Sequence, residues 1–331
     1  MPRSTTGARA PLLLGALLLV TSPAVSAQPS ARVSGTAELT AVALPPLIGA
    51  PSHFVGQGDR LILVDYSDMS VHWADAEGRW LGSLRKVGDG PGELRRIAGV
   101  QFAPEGQVWI SDGANSRVSV RSRRDLSIID EFRVEQPLRS VVPARGGASM
   151  LAVPNGVQQM AVVVARTGSQ RRAVAFPPAL ASINPIARER YHVRISDSLS
   201  VVQFRWLDVR AGLATTGDLR YTALGDATRP EIVAMKLDDR GSVGYRIATE
   251  QKEFAVAAAA TGDTLLVIRG SPDARDHERL IARYDARTGR LIDQVRLARP
   301  VQRIAATAAG VFVIGETDDG FAMYRVGLPR R

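Results

Sequence analysis

Five cations stand just before or at the start of short β-rich runs. Arg96 precedes Ile97-Ala-Gly-Val, Arg139 precedes Ser140-Val-Val, Lys252 precedes Phe254-Ala-Val, Arg303 precedes Ile304-Ala-Ala, and Arg205 is a fifth. A guanidinium is a planar fork of donors matched to carboxylate, sulfate or phosphate, and several forks gathered at one place bind an anion better than any one alone. Other chemistry finds less to work with. Gly88-Asp-Gly90-Pro91-Gly92 has the glycines of a phosphate loop. No Lys-Ser/Thr follows it, and Pro91 removes a backbone donor, so it reads as a connecting loop. The chain has neither a Gly-x-Ser-x-Gly elbow nor a His-Glu-x-x-His pair. The absence of cysteine excludes disulfides, thiolate metal sites, cysteine nucleophiles and a cysteine-anchored lipoprotein terminus.

The elements that must position these cations are strands. Of 331 residues, 45% are hydrophobic and 23% charged, a globular balance with enough chain for a sizeable core. Residues 1–27 read as a cleavable export signal: Arg3 and Arg9, then the apolar run PLLLGALLLV, then Val25-Ser26-Ala27. The apolar run is too short for a bilayer span, which needs ~20 residues. The expected location is therefore periplasmic or secreted, not as a lipoprotein and without a transmembrane span. The formal net charge of +9 then favours anionic metabolites, acidic glycans, lipid head groups or another protein as partners rather than nucleic acid.

Residues 97–134, IAGVQFAPEGQVWISDGANSRVSVRSRRDLSIIDEFRV, alternate through four strands separated by turn residues. Residues 60–84 and 263–297 repeat the plan. Their last hairpins share one turn chemistry, Asp75-Ala-Glu-Gly78-Arg79 and Asp285-Ala-Arg-Thr-Gly289-Arg290, with a looser copy at 238–241. Second strands are predicted to begin near Leu61, Val108, Met150, Leu219, Leu265 and Val311. Four of the five intervals match the ~40–50 residue period of a propeller blade. The long interval is assigned an insertion over about 177–200, where alternation lapses. The final repeat lacks a fourth strand, and residues 37–44, AELTAVAL, form an unpaired strand that can supply it.

The segments Gly88-Asp-Gly90-Pro91-Gly92-Glu93-Leu94, Val108-Trp-Ile-Ser-Asp112 and Asn115-Ser-Arg117-Val118 together resemble the repeats of six-bladed propellers of the NHL-repeat-like class, many of them exported bacterial proteins. The strong match covers about one blade. The resemblance implies a propeller fold but no single activity. Enzymes of that class resemble one another in gathering histidines from innermost strands around a metal. Here only His53 falls on a predicted innermost strand. His72 lies in a third strand, His192 in the insertion and His277 in a loop. Calcium-dependent lactonase-type propellers use Glu, Asn and Asp, for which Asp112, Asn115, Asp208 and Glu93 are the weak candidates; Asp112 and Asn115 also suit a turn.

The expected architecture is all-β, a single six-bladed propeller of four-stranded antiparallel blades, its N-terminal strand closing the last blade. Residues 1–27 are the signal, 28–36 a linker, 37–328 the propeller and 329–331 a tail. The expected function is that of an exported, monomeric, non-catalytic binding or interaction protein, recognising an anionic ligand or a protein partner at the channel mouth through Arg96, Arg139, Arg205, Lys252 and Arg303. No metal or cofactor is called for. The alternative is a metal-dependent propeller enzyme of lactonase, hydrolase or lyase type.

Overall fold

The computed structural model describes residues 33–329, apart from 46–47, 157, 182, 226–229, 237–242, 249–251, 272 and 274–275. The export segment 1–27, most of the linker 28–36, the end of the tail and the 238–241 turn lie outside the described residues.

Short strands follow one another with almost no helix. β1 spans Val33–Val42. A first sheet follows, of β2 (Pro51–Gln57), β3 (Arg60–Asp65), β4 (Ser70–Asp75) and β5 (Trp80–Leu84). The second holds β6 (Ile97–Ala103), β7 (Gln107–Asp112), β8 (Arg117–Ser122) and β9 (Ile128–Arg133). The third holds β10 (Leu138–Pro143), β11 (Ser149–Pro154), β12 (Ala161–Ala165) and β13 (Gln170–Val174). A single helical turn α1 (Pro178–Ala181) and a 3-10 turn (Pro185–Arg188) lead to the fourth, β14 (Arg190–Arg194), β15 (Leu199–Phe204), β16 (Val209–Ala214) and β17 (Leu219–Leu224). The hairpin of β18 (Ile232–Lys236) and β19 (Val243–Ile247) is separate. The rest comprises β20 (Ala255–Thr261), β21 (Thr264–Arg269), β22 (Leu280–Asp285), β23 (Leu291–Leu297), β24 (Arg303–Thr307), β25 (Gly310–Thr317) and β26 (Gly320–Gly327).

The first four sheets are antiparallel meanders in chain order. The remaining strands form one eight-stranded sheet in the order β20-β21-β22-β23-β1-β26-β25-β24. β1 runs antiparallel to β26, with Glu38 opposite Gly327 and Val42 opposite Met323. Its first half also pairs in parallel with β23, Val33 against Gln294 and Ala37 against Leu297, a contact the sequence did not suggest.

The sheets stack face to face in a propeller-like arrangement. The second strand of most sheets is therefore buried on both faces and reads as a continuous apolar run rather than an alternating one: LILV in β3, VWI in β7, LLVI in β21. Ile62 and Val64 of the first sheet pack with Phe102, Val108 and Ile110 of the second. Trp109 and Val120 pack in turn with Val141 and Met150 of the third. The stacking returns on itself, because Leu61 and Leu63 pack against Ala305, Phe312 and Ile314. Strands β2, β6, β10, β14, β20 and β24 each contact the next in that order, and β24 contacts β2. Gly99 permits one of these approaches: a Cβ there would stand 2.4 Å from the Arg139 carbonyl oxygen.

The repeated turns take the predicted form. The Asp75 carboxylate accepts from the N–H groups of Glu77 and Arg79, that of Asp285 from Arg287 and Thr288, and Gly78 and Gly289 take positive φ. The fourth sheet corrects the reading in two respects. Residues 190–194 belong to a regular strand, β14, so the stretch 177–200 is not all insertion. Leu219 opens the outermost strand β17, the second strand being β15. The additional chain lies instead between β17 and β20, around the β18–β19 hairpin. The cause is arginine in buried places. Arg190 and Arg194 are 5% and 7% exposed. Arg190 pays for its burial by donating to the carbonyls of Met160, Arg188 and Gln159, which RYHVR does not reveal as a sequence. No helix among the described residues is long and apolar enough to cross a membrane.

Candidate functional site

The strands β2, β6, β10, β14, β20 and β24 start around one end of a central cavity of about 790 Å³. Its wall includes Arg96, Arg139, Arg205 and Arg303, together with Glu189, Glu253, Glu278, His53 and His192. Four of the five sequence-predicted cations therefore meet. Arg303 opens β24, Arg139 is the second residue of β10 and Arg96 immediately precedes β6. Arg205 arrives differently from expectation, just after β15 rather than at an innermost strand. Lys252 is exposed and is not in the wall; its neighbour Glu253 is.

Two carboxylates hold the framework on one side. Asp112, 1% exposed, closes β7 and accepts from the backbone N–H groups of Arg95 (2.9 Å), Arg96 (3.2 Å), Ala114 (3.2 Å) and Asn115 (3.2 Å). Asn115 Nδ2 donates to Asp112 Oδ2 at 2.8 Å and to the Gly88 carbonyl at 3.2 Å. Arg117 clamps the glycine loop by donating to the carbonyls of Gly90 and Glu93. That loop thus offers oxygens to an arginine rather than N–H groups to a phosphate. Asp65 does for β2 what Asp112 does for β6, accepting from Gly49 (2.7 Å), Ala50 (2.9 Å) and Ser67 (2.8 Å). Burial alone would raise the Asp65 pKa, but the Ser67 hydroxyl and these N–H groups hold it below the usual carboxylate value.

The four weak metal candidates are accounted for by these contacts. Asp112 and Asn115 cap the turn, Glu93 accepts from Gly90 N–H at 2.9 Å, and Asp208, in the fourth sheet, pairs with Arg210. They are divided between two sheets and do not converge. Among the described residues no group of three or more His, Asp or Glu is placed to hold a metal ion.

On the other side of the cavity the carboxylates face arginines. Arg139 Nη1 lies 2.7 Å from Glu189 Oε1, Arg205 Nη1 lies 3.0 Å from Glu189 Oε2, and Arg205 also pairs with Glu253. Burial pushes the Glu189 pKa up, but Arg205 and Arg139 together bring it below its ordinary value. Arg205 stacks over the Trp206 ring at 5.4 Å.

Arg303 and Arg96 differ. Among the described residues neither has a carboxylate within ion-pair distance, and Arg303 Nε is buried without a hydrogen-bond partner. Burial lowers the Arg303 pKa. Glu278 likewise has no arginine within ion-pair distance among the described residues; His277 Nε2 lies 3.5 Å from it, Arg303 acts on it from farther off, and burial raises its pKa.

Both wall histidines are neutral. His53 Nε2 stands 3.1 Å from the Ala98 carbonyl and its Nδ1 3.1 Å from Ser52 Oγ. The carbonyl can only accept, so Nε2 carries the proton. Burial lowers the His53 pKa to about 4 and that of His192, held between Ser140 and Ser200, to about 3. His192 lies on β14, in the wall, and not in an insertion. The glutamates were missed because only cations were sought at strand starts. Glu189, one residue before β14, and Glu253, two before β20, also stand just ahead of innermost strands.

No family model and no curated protein sequence matches this chain. Solved structures do. A Bacteroides fragilis protein assigned as exported is 11% identical, with 89% of this chain and 95% of that one covered at a TM-score of 0.61. Virginiamycin B lyase from Staphylococcus aureus is 10% identical over 88% of this chain and 100% of its own, at 0.53. The β-propeller domain of Cps50 (Swd1) from Myceliophteria thermophila is 11% identical over 88% and 100%, at 0.51. At such identities the likeness is one of fold, and the fold it shows is a β-propeller.

Proposed function

We propose that this chain is an exported six-bladed propeller of NHL-like type that binds a ligand through an anionic group in its central cavity, without itself doing chemistry. The closed cycle of six innermost strands supports the blade count, with the eight-stranded sheet read as two blades joined through β1. The Bacteroides fragilis neighbour assigned as exported and the sequence of residues 1–27 support export.

The observation that carries the binding reading is the unequal pairing of the five cavity arginines, of which Arg190 is taken up by backbone carbonyls. Arg139 and Arg205 form direct ion pairs with Glu189 and Glu253, while Arg303 and Arg96 form none among the described residues, Arg303 feeling Glu253 and Glu278 only from farther off. An unpaired guanidinium in a partly dry cavity gains most from an added carboxylate, sulfate or phosphate. The lactonase- or lyase-type alternative has lyase structures among its structural neighbours. It has less to draw on within the cavity, where burial keeps the two histidines neutral.

Thermal unfolding of the chain from Gln28 in citrate, glutarate and a sulfated glycan tests the reading. At least one should raise the Tm through preferential binding to the folded state, with the rise shrinking as salt is added. The double variant Arg96→Glu, Arg303→Glu should lose it. Equal responses from the two proteins would sink the proposal.

A further inference from the structure

We infer that the ligand is zwitterionic, with its anionic group at Arg303 and Arg96 and an organic cationic group at Glu278 and Glu253. This rests on the reading that the cavity binds an anionic group and adds the second charge.

The inference comes from matching charges around the wall. Three glutamates line the cavity, and the two arginines that pair with them are shared unevenly. Glu189 takes both Arg139 and Arg205; Glu253 has only the remaining fork of Arg205. Glu278 has no arginine or lysine within ion-pair distance among the described residues. The wall thus contains a carboxylate, Glu278, and two arginines, Arg303 and Arg96, outside direct ion pairs, Glu278 and Arg303 attracting one another only from beyond ion-pair distance. A dianion would satisfy Arg303 and Arg96 but bring negative charge towards Glu278. A molecule with one charge of each sign satisfies both.

The cation is organic rather than metallic. A calcium ion takes six to eight oxygens and magnesium a near-octahedral set, whereas no group of three or more donors of the kind a metal needs is present among the described residues. An ammonium or guanidinium group needs only one or two carboxylates, and each N–H donates directly. A cavity of about 790 Å³ admits an amino acid, a short peptide or a molecule of similar size.

Calorimetric titration with ω-amino acids, dicarboxylates and diamines of matched chain length, three to six carbons, tests the inference on the chain from Gln28. At least one ω-amino acid should bind about tenfold more tightly than the dicarboxylate and diamine of its length, the loss expected when one charge-assisted hydrogen bond is missing. Glu278→Gln should weaken that amino acid about tenfold and leave the dicarboxylate unchanged or tighter. Glu253→Gln serves as the second variant, with the same pattern. Arg303→Met should weaken both classes. If dicarboxylates bind and amino acids of equal length bind no better, the zwitterion is wrong and the anion site stands. If the glutamine variants weaken both classes equally, the second charge has no site. If no anion of either kind binds, the underlying reading fails as well.

Discussion

The two sides of the cavity put the same chemical group to different uses. Beside Arg96 and His53, the carboxylates Asp112 and Asp65 point at backbone, each satisfying several N–H groups in the connection that leads into an innermost strand. Beside Arg139 and Arg205, the carboxylates Glu189 and Glu253 point at guanidinium groups. The first arrangement fixes the frame and leaves Arg96 without a direct ion pair among the described residues. The second cancels charge and leaves less for a ligand. A ring of cations read from sequence is therefore only half available. What decides availability is where each blade sends its acids, not how many arginines it carries.

The largest effect should come from breaking the frame. Asp112→Ala orphans four backbone donors and the Asn115 amide and removes a carboxylate near buried Arg117. A loss of about 3–5 kcal/mol is expected from denaturant unfolding. Glu189→Gln, which breaks two ion pairs at a partly exposed site, should cost about 1 kcal/mol or less. Comparable losses for the two would erase the distinction between frame and charge cancellation.

A middling effect is expected in acid. In the unfolded chain a histidine binds its proton near its ordinary value of 6.5, whereas folded His53 does so only near 4. Between those values the unfolded state holds more protons, so stability falls as pH drops from about 6.5 towards 4 and then levels off for this group. The expected loss is on the order of 3 kcal/mol for His53. His192 adds a loss of the same sign extending to about 3. His53→Asn should flatten the upper part of the slope in denaturant titrations at several pH values. An unchanged slope would mean that His53 is not held neutral by its surroundings.

The smallest effect sharpens the comparison most. Glu189→Gln leaves Arg139 without its partner and Arg205 with only Glu253. Affinity for a dicarboxylate should rise several-fold, about 1 kcal/mol, in calorimetry. Lys252→Ala, outside the wall, should change it by no more than about 0.5 kcal/mol. A tighter response to the Lys252 change than to the Glu189 change would move the site elsewhere.

The legible parts were those whose cause is local. The Asp-Gly hairpins at Asp75 and Asp285 announce their own geometry, because carboxylate and turn lie within four residues of one another. The resemblance concentrated in the second sheet for a similar reason: Gly88, Asp112, Asn115 and Arg117 form one clamp within a single repeat. The partner of residues 37–44 could be inferred from a missing strand, whereas the parallel contact of β1 with β23 could not, since nothing near either strand requires it. The fourth sheet was misframed because its innermost strand carries arginines whose burial depends on carbonyls about thirty residues upstream, at Gln159 and Met160. The pairing of Arg139 with Glu189 was hidden in the same way, joining groups from different sheets.

The double pairing of β1 also dictates an order of events. Its hydrogen-bonded neighbours are β23 and β26, strands made near the end of the chain. β1 emerges before either partner and must wait, unpaired, while the sheets that lie between them in sequence are synthesised. Sheets one to four are built from neighbours in sequence and can form as they appear; the closing sheet cannot. Such non-local pairing slows folding, and an open strand edge can recruit a second chain while it waits. The last step of assembly is therefore the one most exposed to error, and the one a chaperone acting on this chain would have to guard.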